Sequence, residues 1–350
     1  MTSNPTNVVW IQTAFLGDLV LTTGAFQLLR LHRPAVRQFL ITTPIGAKAL
    51  EGTIAERDLI VFDKKKESLV GAALRLRRLL KQNGCTRGNT LTIQAHRSWR
   101  STILATMLGL PIATYHESQG SVLATYRVDR IAYFHETTRI ALLLQPLGIS
   151  REQLVGARPR LEVSKRAVFP QELAPHQHKT LIGVAPGSVW GTKRWPLDSY
   201  TALVKRLLQR HQDAHLVLLG SKDEIAYSQS IIAAFDGEPR LTNLVGKTEL
   251  ADLPLLYQSL RLLISNDSSP IHYASAMNVP TLAIFGATTS SMGFGPLAEG
   301  SRVIEQGALP CRPCSDHGPS RCPLGHFKCM KDISVEIVAD AALAMLEEQQ

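Results

Sequence analysis

The chain has 350 residues, of which 45% are hydrophobic, with a formal net charge of +9 and five cysteines. That length suits about two domains with sizeable cores; no apolar run is long enough to span a bilayer, and Met1 to Asn7 lacks the basic and apolar regions of a signal peptide. A cytoplasmic protein with an acidic partner is expected, and since no nucleic-acid motif is present the partner is not nucleic acid.

In chain order, Val8 to Ile11 reads as a short strand, followed by a loop ending in Gly17-Asp18. A helix with apolar positions at Leu21, Ala25, Leu28 and Leu29 ends before Pro34. The pattern repeats as strand Phe39–Thr42, amphipathic helix Leu69–Leu80, strand Leu91–Gln94 and helix Trp99–Leu108. Strands alternating with helices predict a parallel sheet covered on both faces. Lys64, Lys65, Lys66, Arg75, Arg77, Arg78 and Lys81 crowd one helix and its neighbours. A solvated helix face and an anionic docking surface are equally good readings of them.

Residues 151–179 interrupt the rhythm with prolines and histidines and read as the connection between two domains. The alternation restarts with strand Leu181–Ala185, helix Leu197–Gln212, strand His215–Leu219, helix Lys222–Phe235 and helix Leu250–Ser259. Strand Arg261–Ser265, helix Ser269–Asn278, strand Pro280–Gly286 and a terminal helix Val335–Glu348 complete it. The expected division is 1–165, 166–334 and a C-terminal helix at 335–350.

Three polar loops fall where a strand ends and a helix begins, the edge at which open α/β sheets bind ligands. Ala185 to Pro196 carries Gly187, Ser188, Gly191, Thr192 and Lys193: flexible backbone, hydroxyl donors and a compact cation suited to phosphate. It is no Walker loop, because the Gly and Lys-Ser/Thr spacing is wrong. Asn266 to His272 contains Asp267, Ser268 and Ser269, which also read as a plain N-cap. Asp223 and Glu224 follow Gly220, and a carboxylate there, Glu224 in preference to Asp223, serves either the helix dipole or ribose hydroxyls. In the first half, Asp18 stands at the corresponding position, as a cap or as a general base.

The Gly17-Asp18 loop, the Pro-Gly-Ser-x-x-x-x-Lys-Arg-Trp-Pro segment from Pro186, and Asn-Asp-Ser-x-x-x-His from Asn266 with Phe285-Gly286 beyond it form an ordered set. It resembles the ADP-heptose:lipopolysaccharide heptosyltransferases, glycosyltransferase family nine, over nearly the whole chain. The resemblance implies an α/β GT-B architecture: two facing Rossmann-like domains with parallel sheets and a cleft between them. It implies Asp18 as catalytic base, and Ser188, Lys193, Glu224, Asp267, Ser268, Ser269 and His272 as donor-binding residues. The family often has glycine where this chain has Ser269. The implied reaction is inverting, metal-independent transfer of heptose from ADP-heptose to a lipopolysaccharide inner-core acceptor, at the cytoplasmic face of an anionic inner membrane. Arg97, Arg100 and Arg139 suit an acceptor bearing carboxylates and phosphates, and equally suit a plain surface.

Cys311, Cys314, Cys322 and Cys329 cluster near the end, whereas Cys85 stands apart. In a cytosolic chain such thiols favour a structural zinc, or iron, over disulfides; reduced thiols in a loop are the even alternative. Such a metal would staple the segment between strand 280–286 and the last helix, leaving the donor site unaffected. Two rival functions stand beside the transferase: a nucleotide-sugar epimerase of the same architecture, and a non-catalytic nucleotide-sugar-binding or metal-sensing protein.

Overall fold

The computed structural model describes residues 5–307 and 309–349. The chain forms two compact units, Met1–Lys165 and Arg166–Gln350. The first contains β1 (Asn7–Ile11), α1 (Leu16–His32), β2 (Arg37–Thr42), α2 (Pro44–Ala49), β3 (Leu59–Val61), α3 (Leu69–Gln82), β4 (Thr90–Gln94) and α4 (Trp99–Leu108). It continues through β5 (Ile112–Tyr115), β6 (Tyr126–Val128), α5 (Glu136–Leu142) and α6 (Arg151–Leu154). Its sheet runs β3-β2-β1-β4-β5-β6, with every pair parallel.

The second unit contains β7 (Thr180–Ala185), α7 (Leu197–Arg210), β8 (Ala214–Leu218), α8 (Ile225–Ala234), β9 (Leu241–Asn243), α9 (Leu253–Gln258), β10 (Leu262–Asn266) and α10 (Ser269–Ala276). It closes with β11 (Thr281–Phe285), β12 (Arg302–Glu305), α11 (Lys328–Lys331) and α12 (Val335–Glu347). The order β12-β11-β10-β7-β8-β9 repeats the winding of the first sheet, again wholly parallel. Each sheet therefore reverses direction once, between β1 and β4 and between β7 and β10. The loops leaving those strands part to opposite faces and open a crevice there.

The central strands are buried along their length, which is why they read as continuous apolar runs. Helix α7 shows the complementary logic. It buries Tyr200, Leu203, Val204, Leu207 and Leu208 on one stripe, each worth about 1.5–3 kcal/mol if fully withdrawn from water. Helix α12 packs beside α7 against β10 and β11, so the last helix belongs to the second unit's core. In the first unit α1 packs on α5, and Gly24 is the close-approach point: a Cβ there would sit 2.4 Å from Thr137 Cγ2.

The structure adds β3, β5, β6, β9 and β12, strands too short for a sequence period to show. The helix expected from Lys222 begins as a single 3-10 turn, because Ser221 and Glu224 close a capping box ahead of α8.

Candidate functional site

In the second unit the loops after β7 and β10 emerge side by side at the reversal point. Asn266, fully buried at the end of β10, holds them together. Its Nδ2 donates to Pro186 O at 2.7 Å, while its Oδ1 accepts from Trp195 N and Tyr200 Oη, both at 3.0 Å. Beyond it Lys193 Nζ lies 2.7 Å from Asp267 Oδ2. Thr288 Oγ1, from the turn after β11, donates to the same oxygen at 2.6 Å. Asp267 is thus no helix cap; its carboxylate is 5% exposed and holds the lysine at the sheet edge. Ser268 is the N-cap residue by backbone conformation, but its side chain makes no capping hydrogen bond. Helix α10 then starts at Ser269 with Pro270 in its first turn, and His272 is buried one turn along.

Glu224 accepts from Ser221 N at 2.7 Å and from Ser221 Oγ at 3.0 Å, so its capping role is real. The box also presses its carboxylate onto the loop after β7: a Cβ on Gly187 would lie 1.9 Å from Glu224 Oε1. Ser188 is buried beside it. The structure therefore gathers Ser188, Lys193, Glu224, Asp267 and Ser268 around one strand edge, with a cation, hydroxyls and a helix N-terminus available to an anion.

In the first unit Asp18 occupies the first turn of α1, after β1. A helix start favours a carboxylate, yet burial pushes the Asp18 pKa up to about 7, and the Glu136 carboxylate adds to that. The Phe15 backbone amide, Arg97 and Arg130 oppose the shift. Glu136 heads α5 and is itself held by Arg130 Nη2 at 2.5 Å and Arg139 Nη1 at 3.1 Å. Asp18 is therefore a carboxylate that takes and gives up a proton near neutrality. His96, on the loop after β4, faces three hydroxyls (Thr13, Ser98 and Ser101) within 3.2–3.4 Å of Nδ1, and burial lowers its pKa.

One expectation needs correction. Arg139, expected at an acceptor, is a buried structural cation: besides Glu136 it donates to the Ile131 and Ala132 carbonyls. Arg97 and Arg100 are exposed, Arg97 lying 3.8 Å from Glu117. The cysteine segment touches the loop after β7. Thr192 Oγ1 donates to Pro319 O at 2.5 Å, Thr192 N to the same oxygen at 3.3 Å, and a Cβ on Gly191 would lie 2.3 Å from Ser320 O.

The four clustered thiols are near enough to influence one another. Burial raises Cys314, with Cys311 and Cys322 adding to it, and burial pushes Cys329 up to about 11. Cys322 also feels burial, but backbone amides of Phe327, Leu324, Gly325 and His326 outweigh it and lower its pKa. Among the described residues no three His, Cys, Asp or Glu side chains converge as metal ligands; Cys311 Sγ and His326 Nε2 are 3.9 Å apart. The donor chemistry suits a soft ion; the arrangement is not drawn together as a ligand set.

Sequence reasoning passed over Asn266 as a site residue, and also Thr288, Glu136 and Arg312. Thr288 had a signal, since it lies just past the Phe285-Gly286 pair; the others are visible only through their contacts.

The chain is 30% identical over 151 residues to lipopolysaccharide heptosyltransferase 2 of Salmonella typhimurium, covering 42% of each chain. It is 27% identical over 219 residues to the enzyme of that name from Escherichia coli, covering 59% of this chain and 62% of that one. The chain spans about half the length of the curated relatives it matches. The fold is that of the solved ADP-heptose lipopolysaccharide heptosyltransferase II of E. coli, with a TM-score of 0.76 at 20% identity over 98% of this chain and 99% of that one. The two-unit GT-B fold read from the sequence is the fold of the chain. The family model described as glycosyltransferase family 9 (heptosyltransferase) matches residues 74–323, and the chain belongs to that family.

Proposed function

We propose that the protein transfers heptose from ADP-heptose to an inner-core acceptor of lipopolysaccharide, with inversion and without a catalytic metal. The observation that carries the reading is the buried Lys193–Asp267–Thr288 cluster at the reversal point of the second sheet. In this reading the second unit binds the donor, with Lys193, Ser188 and the amides at the start of α10 on the diphosphate and Glu224 on the ribose. The first unit supplies Asp18 and, through Arg97 and Arg100, acceptor contacts. Asp18 takes the proton of the acceptor hydroxyl as its oxygen attacks the anomeric carbon. The bond from that carbon to the diphosphate breaks with its electron pair leaving on ADP, where Lys193 and the helix start stabilise the charge. Incubating the protein with ADP-heptose, with and without a heptose-deficient core acceptor, tests this. Acceptor-dependent release of ADP is expected; conversion of the nucleotide sugar without acceptor would point to an epimerase, and no turnover would overturn both.

We further propose peripheral contact with an anionic membrane at the cytoplasmic face. Val70 and Leu74 on α3, Trp99 and Ile103 on α4, and nearby Val122 and Leu123 are all exposed. Lys64, Lys65, Lys66, Arg77, Arg78 and Arg100 accompany them. An apolar patch beside cations fits an anionic bilayer surface. Among the described residues no helix is long and apolar enough to cross a membrane. Sedimentation with phosphatidylglycerol vesicles, falling as salt rises and on Trp99→Ala, is expected; equal binding to neutral phosphatidylcholine vesicles would remove the charge argument.

A structural zinc or iron held by Cys311, Cys314, Cys322 and Cys329 is part of the same proposal. It is supported by the sulfur donors and by the amides around Cys322. Its role would be to fix the loop, with no part in transfer. Protein purified without chelator should carry stoichiometric metal that Cys314→Ser removes, with a lower Tm; sub-stoichiometric metal and an unshifted Tm would leave ordinary reduced thiols.

Asp18→Asn is expected to lower turnover by about 100- to 10,000-fold, the usual worth of general-base assistance, with ADP affinity retained. The Asp18 pKa is raised, from 3.8 to about 7, so holding the ionised form costs stability as pH rises through that window. Asn should therefore raise Tm at pH above about 7 and change it little at the acid end of that window. Wild-type turnover should climb through the same range. A flat profile, or near-normal turnover of the variant, would remove Asp18 from the chemistry.

Lys193→Ala should weaken ADP binding by about 10- to 100-fold, as expected for a charge-assisted hydrogen bond, and also slow transfer. Calorimetry with ADP and steady-state kinetics read the two effects separately; unchanged values in both would return Lys193 to a structural role.

A further inference from the structure

Arg312 sits between Cys311 and Cys314 and belongs to none of the motifs above. Its side chain is 4% exposed, and all three of its nitrogens donate. Nε donates to Gly286 O at 2.5 Å, Nη2 to Thr288 O at 2.7 Å and to Glu305 Oε2 at 2.8 Å, and Nη1 to Gln306 O. Three carbonyls and a carboxylate arranged around one planar fork are a demand that only arginine meets. The carbonyls of Gly286 and Thr288 belong to the turn leaving β11, and a further bond from Cys314 N to Ala287 O at 2.8 Å grips the residue between them. Gly286 itself is pressed from the other side, since a Cβ there would lie 2.6 Å from Met330 Cε.

What this turn presents to the site is the Thr288 hydroxyl, 2.6 Å from Asp267 Oδ2, the same oxygen that holds Lys193 Nζ at 2.7 Å. A continuous chain of contacts thus runs from the guanidinium of Arg312, through the Thr288 backbone and hydroxyl, to Asp267 and the ammonium of Lys193. We propose that Arg312 is a positioning residue of the donor-diphosphate site: by fixing the turn at Gly286–Thr288 it sets Thr288 against Asp267 and so sets where Lys193 stands. The inference rests on the reading of Lys193 as a diphosphate ligand. It touches no substrate atom and works wholly through Thr288.

The test is calorimetric titration with ADP of wild type, Arg312→Ala, Arg312→Lys, Thr288→Val and the Arg312→Ala/Thr288→Val double variant, with the Tm of each. Arg312→Ala is expected to weaken ADP binding by about tenfold, the effect of one well-placed hydrogen bond to a charged group. Thr288→Val should give a similar loss. Because both act through one chain of contacts, the double variant should lose no more than the larger single loss. Ethylguanidinium in solution should restore affinity to Arg312→Ala and leave Thr288→Val unchanged, an outcome that a general loss of stability does not give. Arg312→Lys keeps the charge and one carbonyl contact; it should bind ADP more weakly than wild type, and it carries the test if the alanine variant does not fold. Wild-type affinity in a folded Arg312 variant, additive losses in the double variant, or no recovery with ethylguanidinium would overturn the proposal. Failure of wild type itself to bind ADP would instead overturn the donor reading beneath it.

Discussion

The amide of Asn266 is the contact on which the second unit's functional edge depends. A strand that ends in an open α/β sheet leaves its following loop unsupported, and two such loops must be held at a fixed separation to form a site. Asn266 meets this with one side chain. It donates to the loop after β7 and accepts from the backbone and hydroxyl that precede and begin α7, all without exposure to water. Buried amides with both ends satisfied rigidify what they join, whereas a half-satisfied one would cost about 1–3 kcal/mol. Asn266 thereby ties both ends of the loop that carries Gly187, Ser188 and Lys193 to the end of β10.

The two units apply the same winding to opposite electrostatic ends. In the second, a buried carboxylate is matched by an ammonium and a hydroxyl, so its charge is compensated and the cation is held ready for an anion. In the first, the half-buried Asp18 carboxylate feels another carboxylate, Glu136, whose own charge is already taken up by Arg130 and Arg139. Like charge and desolvation then act together on Asp18, while Arg97 and Arg130 limit the shift. Within each unit, the strand end thus carries a different balance of charge: compensated at Asp267, uncompensated at Asp18.

Much of the fold was legible because parallel strands buried on both faces write long apolar runs, and amphipathic helices such as α7 write a clear stripe. The edge strands β3, β6 and β9 were not, being three residues each. For the site, the strand-to-helix loops stood out by composition, and those of Lys193 and Asp267 were readable as sharing a sheet edge because both follow central strands; their ion pair was not. Arg139 misled for a physical reason: an arginine in a short helix looks the same in sequence whether it faces solvent or folds inward onto Glu136 and two carbonyls. Arg312 was invisible for the opposite reason, since its importance lies in contacts with residues distant in sequence, and Thr288 was marked only by its place just past Phe285-Gly286.

Gly187 and Glu224 impose a constraint of a different kind. They lie in consecutive strand-to-helix loops, after β7 and β8, and the glycine's missing side chain is the space in which the carboxylate stands. Neither position is free to drift alone. Any larger residue at 187 would evict the acid, and an acid of another length at 224 would leave the cleared volume empty. Substitutions here should be inherited jointly, so a sequence that carries a side chain at the first position should also have surrendered the carboxylate at the second.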